Sequence, residues 1–171
     1  IQFLAEEQQV LLINVASNSE RSVTAPEIEF TVTGPQEGFI ESLETNINLI
    51  RKRLPLPNLR VKELEVGKIS KTKVAIIYIE GIADTANINT MLQRIDQIEV
   101  DHILDSAMLS QMVADSTLSL FPQFVNTERP DRVVGGLTEG KVAVMTAGSP
   151  QAFFGPTTLV EFFSSLEDYY L

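Results

Sequence analysis

The sequence predicts a mixed α/β or α+β fold in two small lobes, each a mixed sheet flanked by helices, and three features predict it. Apolar runs of strand length are interleaved with segments whose apolar residues recur every three or four positions. Residues 59–79 carry two strand patterns close enough to form a hairpin. An early strand pattern near Val10 and a late one near Val144 flank a compact middle portion, so the two are expected to pair across it. That pairing makes the first lobe discontinuous, residues 1–20 with 117–171, and leaves 21–116 as the second lobe.

The elements follow in order. Gln9 to Asn14 is a short apolar run of strand length, and the polar Ser17-Asn18-Ser19-Glu20 after it reads as a turn. Glu27 to Val32 alternates with period two until Gly34-Pro35 ends it. From Phe39 the apolar positions Leu43, Ile47, Ile50 and Leu54 line one helical face, which Pro55 and Pro57 stop. Leu59 and Val61 alternate with basic residues, and the phase then slips by one to Leu64 and Val66, as in a strand with a bulge. Val74 to Ile79 is apolar without alternation, so it should be a central strand covered on both faces. Asp84 caps a helix whose buried face is Ile88, Met91, Leu92, Ile95 and Ile98. The next helix is expected to turn Ile103, Leu104, Ala107, Met108 and Met112 inward, and Ser119 to Glu128, with prolines and no period, to be a loop. Pro130 suits the first position of a short helix with Val133, Val134 and Leu137 inside, which Gly140 closes. Val142 to Met145 is a short strand, and Thr158 with Glu161 has the capping-box spacing of a final helix through Leu166.

Composition narrows the function. The 171 residues are 44% hydrophobic and 21% charged, as expected of a folded domain, and no run approaches the roughly 18 apolar residues of a membrane span. A net charge of −10 opposes nucleic acid and anionic lipid as bulk partners. The absence of cysteine removes disulfides, thiolate zinc sites and a cysteine nucleophile. A first residue Ile1 and an abrupt end at Tyr169-Tyr170-Leu171 read as a fragment of a longer protein.

Several apparent catalytic signals dissolve on inspection. Gly135 to Lys141 has P-loop spacing, but Val142 replaces the magnesium-binding hydroxyl, and the order helix–turn–strand is the reverse of what aims N–H groups at phosphate. A helix C-cap explains it better. His102 is the only histidine, with no nucleophile elbow to serve, and Asp101, His102 and Asp105 fall short of a metal-ligand set. Glu27 and Glu29 share a strand face, as acidic pairs do by chance in so acidic a chain. No cofactor is implied.

Two segments carry binding potential. Asn46 is a poor helix former inside the first helix, where it and Arg53 border one edge of the apolar stripe and Arg51 the other. Partly buried, these groups need partners from a loop, another subunit or a ligand, unless Arg51 and Arg53 simply answer the helix dipole. Thr127-Glu128-Arg129-Pro130-Asp131 opens a helix, so free N–H groups, the Thr127 hydroxyl and the Arg129 guanidinium can converge on a small carboxylate or phosphate. The competing reading has Thr127 and Asp131 capping the helix while Glu128 and Arg129 pair internally.

Eight short motifs then occur in a shared order. They are Gly34 to Phe39, Asn46 to Arg53, Lys71-Thr72, Tyr78 to Ile82, Phe121-Pro122-Gln123, Thr127 to Asp131, Glu139 to Ala143 and Glu167 to Tyr170. In this order they resemble A subunits of GerA-type spore germinant receptors, over roughly residues 22–170. Lys141, Ala147-Gly148-Ser149 and Ser165-Leu166 depart from the common pattern, which puts in doubt any carboxylate role at position 147. The resemblance implies a soluble domain with the form of a two-lobed binding protein, attached to a membrane region in the spore inner membrane. It also implies assembly with B and C subunits, self-association in the full-length protein, and a response to a small-molecule nutrient such as an amino acid or sugar. It implies no enzymatic activity.

Overall fold

The structure, a computed structural model, describes residues 2–3, 10–11, 29, 37–114 and 123–157. In chain order its elements are β1 (Gln2–Phe3), β2 (Val10–Leu11), α1 (Leu43–Arg53), β3 (Leu59–Val66), β4 (Thr72–Ile79), α2 (Thr85–Asp96), α3 (Ser106–Val113), β5 (Val125–Thr127), α4 (Pro130–Thr138), β6 (Val142–Thr146) and β7 (Ala152–Gly155). The expected strand at Glu27 to Val32 and the final helix from Thr158 lie outside the described residues, apart from Glu29.

β3 to β7 form one five-stranded sheet in the order β3-β4-β6-β7-β5, antiparallel throughout. The cause lies in β4. Ala75, Ile77 and Ile79 point to one face and Val74, Ile76 and Tyr78 to the other, so helices must cover both. Helices α1 and α4 cover the first, with Leu43, Ile47, Ile50, Val133 and Leu137 in that core. Helices α2 and α3 cover the second, with Ile88, Met91, Ile95, Leu109 and Val113. The central, doubly covered strand is thus as its sequence requires.

Other expectations are corrected. Val144 pairs with Ile76, not with the strand at Val10, which pairs with Phe3. An apolar strand such as β4 needs a neighbour on each side, and it takes β3 and β6. Strands assigned from the sequence to separate lobes, β4 in 21–116 and β6 and β7 in 117–171, therefore share one sheet. β3 has no bulge: its eight residues pair in unbroken register with β4, Leu59 to Ile79 through Val66 to Thr72. The one-residue slip marks instead a strand whose cover changes sides. Leu59 and Val61 pack with the α1 core, Leu64 and Val66 with the α2 core.

Helix α1 starts at Leu43 rather than Phe39, because the Ser42 side chain caps it by accepting from the Thr45 N–H. Helix α3 is rotated from the expected face. Asp105 caps it, which starts the helix at Ser106 and aligns Leu109 with Val113 inside. Met112 and Leu104 are left exposed, at 38% and 70%. Within the expected loop from Ser119, residues 125–127 are strand β5.

The Gly135 to Lys141 segment is a helix end. Gly140 has φ 87°, its N–H donates to the Leu137 carbonyl, and the Lys141 N–H to the Gly136 carbonyl, the paired bonds of a left-handed cap. A β-carbon at Gly140 would stand 2.9 Å from the Ile82 carbonyl oxygen, a backbone atom. Gly140→Ala is accordingly expected to destabilise the chain by about 1–2 kcal/mol, read as a lower urea midpoint at unchanged slope.

Candidate functional site

The Thr127–Asp131 segment forms the corner between β5 and α4. Pro130 occupies the first turn of α4, and Arg129 is its N-cap without a side-chain capping bond. The orphan Arg129 N–H instead donates to Thr127 Oγ1 at 3.1 Å. The Arg129 side chain, 1% exposed, lies bidentate on Asp131, Nε to Oδ1 at 3.1 Å and Nη2 to Oδ2 at 2.5 Å. Among the described residues, Arg129 thus pairs internally with Asp131. Two residues apart around the proline, they meet because Arg129 is still extended while Asp131 has entered the helix. Glu128, also buried, accepts from Gln151 Nε2 at 3.3 Å.

The corner does hold a carboxylate, and it is the chain's own. Thr127 Oγ1 donates to Glu29 Oε2 at 2.5 Å, and Arg132 Nη1 to Glu29 Oε1 at 2.8 Å. Both charged side chains are largely buried, at 15% and 18% exposure. Sequence reasoning named Thr127, set Glu29 aside as one of a chance acidic pair, and missed Arg132. The available signal was a second arginine one turn into the helix, whereas its acidic partner lies 103 residues away in the chain.

The candidates on α1 separate. Asn46, 1% exposed, clasps the backbone of Ile40 with both amide atoms: Nδ2 donates to the carbonyl at 2.5 Å and Oδ1 accepts from the N–H at 2.9 Å. The adjoining Phe39 N–H donates to the Glu128 carbonyl at 2.8 Å, so Asn46 reaches the corner through two residues of backbone. Arg53 pairs with Glu37 at 2.8 Å. Arg51 is exposed on the opposite edge of α1, in a surface groove. No described cavity unites Arg51, Arg53 and Arg129. The groove contains only Arg51 of the three, and a second cavity of about 300 Å³ between α2 and residues 123–157 contains none. His102 stands exposed on the connection between α2 and α3.

An antiparallel sheet covered by helices on both faces, with Arg53, Arg129 and Arg132 paired internally, defines a small α+β domain with an ion-pair corner. Comparison with known proteins makes this more specific. The family model described as "Bacillus/Clostridium GerA spore germination protein" matches residues 1–171, and the chain belongs to that family. It is 50% identical over 169 residues to spore germination protein GerQA of Bacillus cereus, covering 99% of this chain and 34% of that protein. It is 38% identical over 162 residues to spore germination protein KA of Bacillus subtilis, covering 95% and 30%. The chain thus spans about a third of these relatives. Among solved structures, the N-terminal domain of the A subunit of the Bacillus megaterium spore germinant receptor GerK3 matches with a TM-score of 0.58 and 35% identity, over 71% of this chain and 97% of that one. Among the described residues no helix is long and apolar enough to cross a membrane.

Proposed function

We propose that this chain is a non-catalytic domain of a germinant receptor A subunit, which stabilises or transmits a conformational state of a complex with B and C subunits at the spore inner membrane. The observation that carries this reading is the corner at Thr127–Asp131. Its hydroxyl and guanidinium groups are engaged by Glu29 and Asp131, so their chemistry is spent on tying segments of the chain together. Direct nutrient capture by Arg51, Arg53 and Arg129 needs a shared cleft, and neither of the two cavities found among the described residues is lined by all three.

Glu29→Gln tests the proposal in the intact receptor. Glutamine keeps the length and one acceptor for Thr127 but loses the charge that faces Arg132, a loss of about 1–2 kcal/mol. Slower nutrient-triggered germination at an unchanged receptor level on immunoblots is the expected outcome. Germination at the wild-type rate would overturn the assignment of the corner to signalling.

A further inference from the structure

The groove beside α1 is polar for a reason visible in the strand pattern. Leu43 and Ile47 of α1 form an apolar floor, Glu44, Asn48 and Arg51 line the helical wall, and Glu63 and Lys73 line the strand wall. Glu63 lies opposite Ala75, a residue of the α1-side core, and Lys73 is two positions before Ala75, so both face α1. Past Val61 the strand β3 has turned its apolar residues to the other face, which leaves charges on this one.

Unlike the corner, this cluster is unspent. Among the described residues, none of Glu44, Asn48, Arg51, Glu63 and Lys73 makes a side-chain hydrogen bond or an ion pair. Yet Arg53, Arg60, Lys68, Arg129, Arg132 and Lys141 are all ion-paired. Two anions and two cations thus border one groove of about 260 Å³ without satisfying one another. Glu44 and Arg51 are seven residues apart, about 10 Å along the helix axis. Asn48 sits between them, and the strand wall adds one acceptor, Glu63, and one donor, Lys73.

We propose that this groove binds a short linear zwitterion with amide groups between its charged ends, that is, a peptide of about three residues. Three extended residues span about 10 Å, the separation of Glu44 and Arg51. The ligand ammonium sits on Glu44 and its carboxylate on Arg51, whose fork matches a carboxylate bidentately. Asn48, Glu63 and Lys73 serve the amide N–H and carbonyl groups between. A single amino acid spans one end of the groove only. The proposal is independent of the germination reading, which stands or falls on the corner.

The test is a protein-observed NMR titration of the 171-residue chain with triglycine, with N-acetyl-triglycine amide and glycine as controls. Saturable shifts confined to amides near residues 44–51, 63 and 73 are expected with triglycine, with a dissociation constant on the order of 1 mM. Neither control should reproduce them. Glu44→Gln and Arg51→Gln should each weaken binding about tenfold, with far-UV circular dichroism unchanged because both side chains point to solvent. Equal shifts from the capped peptide would show that the charged ends are not read. Equal shifts from glycine would show that length is not read. Either result, or the absence of a saturable shift, overturns the proposal.

Discussion

Replacing Arg129 with alanine should lower the unfolding free energy by about 3–5 kcal/mol, measured from urea denaturation. The size follows from burial. With 1% of its side chain exposed, Arg129 gives the largely buried Asp131 two charge-assisted bonds, and its stem is packed inside the chain. Alanine removes the donors and leaves a cavity, two costs that Arg129→Met separates. Methionine restores most of the volume without the charge, so its stability should fall between wild type and alanine. Equal stability of Arg129→Met and wild type would mean that the pair contributes nothing beyond packing, as happens when a hydrophobic isostere replaces a buried ion pair. In the receptor, Arg129→Ala should reduce germination through loss of folded protein, which distinguishes it from Glu29→Gln at normal receptor level. A wild-type response of Arg129→Ala at normal receptor level would remove the corner from any functional account.

How far the sequence could be read depended on whether the deciding partner was local. Helix α2 was legible because both its signals are: Asp84 caps by accepting from the Ala86 N–H, and Ile88, Met91 and Ile95 repeat within the helix. β4 was legible because six successive buried residues allow no exposed face. β3 was misread because a phase slip has two causes, an extra residue or a change of cover, and only the packing of α1 and α2 separates them. β5 and β7, three and four residues long, are too short to carry a period, and they exist because β6 and β7 offer free edges in turn. At the site the same rule holds. The residue types at Thr127–Asp131 left open a small carboxylate or phosphate, or internal caps and pairs, and in the structure the Thr127 hydroxyl meets Glu29, 98 residues before it. Sequence chemistry narrowed the kind of partner and could not specify that it was internal.

Asn46 shows the same division, and the second large effect is expected there. Its amide satisfies both polar groups of the Ile40 backbone, and Ile40 is itself only 3% exposed. In Asn46→Ala the donor and the acceptor of Ile40 lose these partners together, at about 1–3 kcal/mol for each buried group left unsatisfied. The gain in helix propensity from asparagine to alanine, at most about 0.7 kcal/mol, offsets a fraction of that loss. A net loss of about 2–4 kcal/mol is therefore expected in urea denaturation. A purely propensity-driven role predicts the opposite sign, so the direction of the change alone discriminates. Because Phe39 next to Ile40 is tied to the Glu128 carbonyl, the loss should spread: amide exchange should accelerate at Ile40 and Phe39 first. Slower changes at residues 127–132 should follow as the Phe39–Glu128 bond loosens. Exchange confined to Ile40 would mean that the clasp holds only its own turn and that α1 and the corner are separate units. Faster exchange at both would make Asn46, a poor helix former, the link between them.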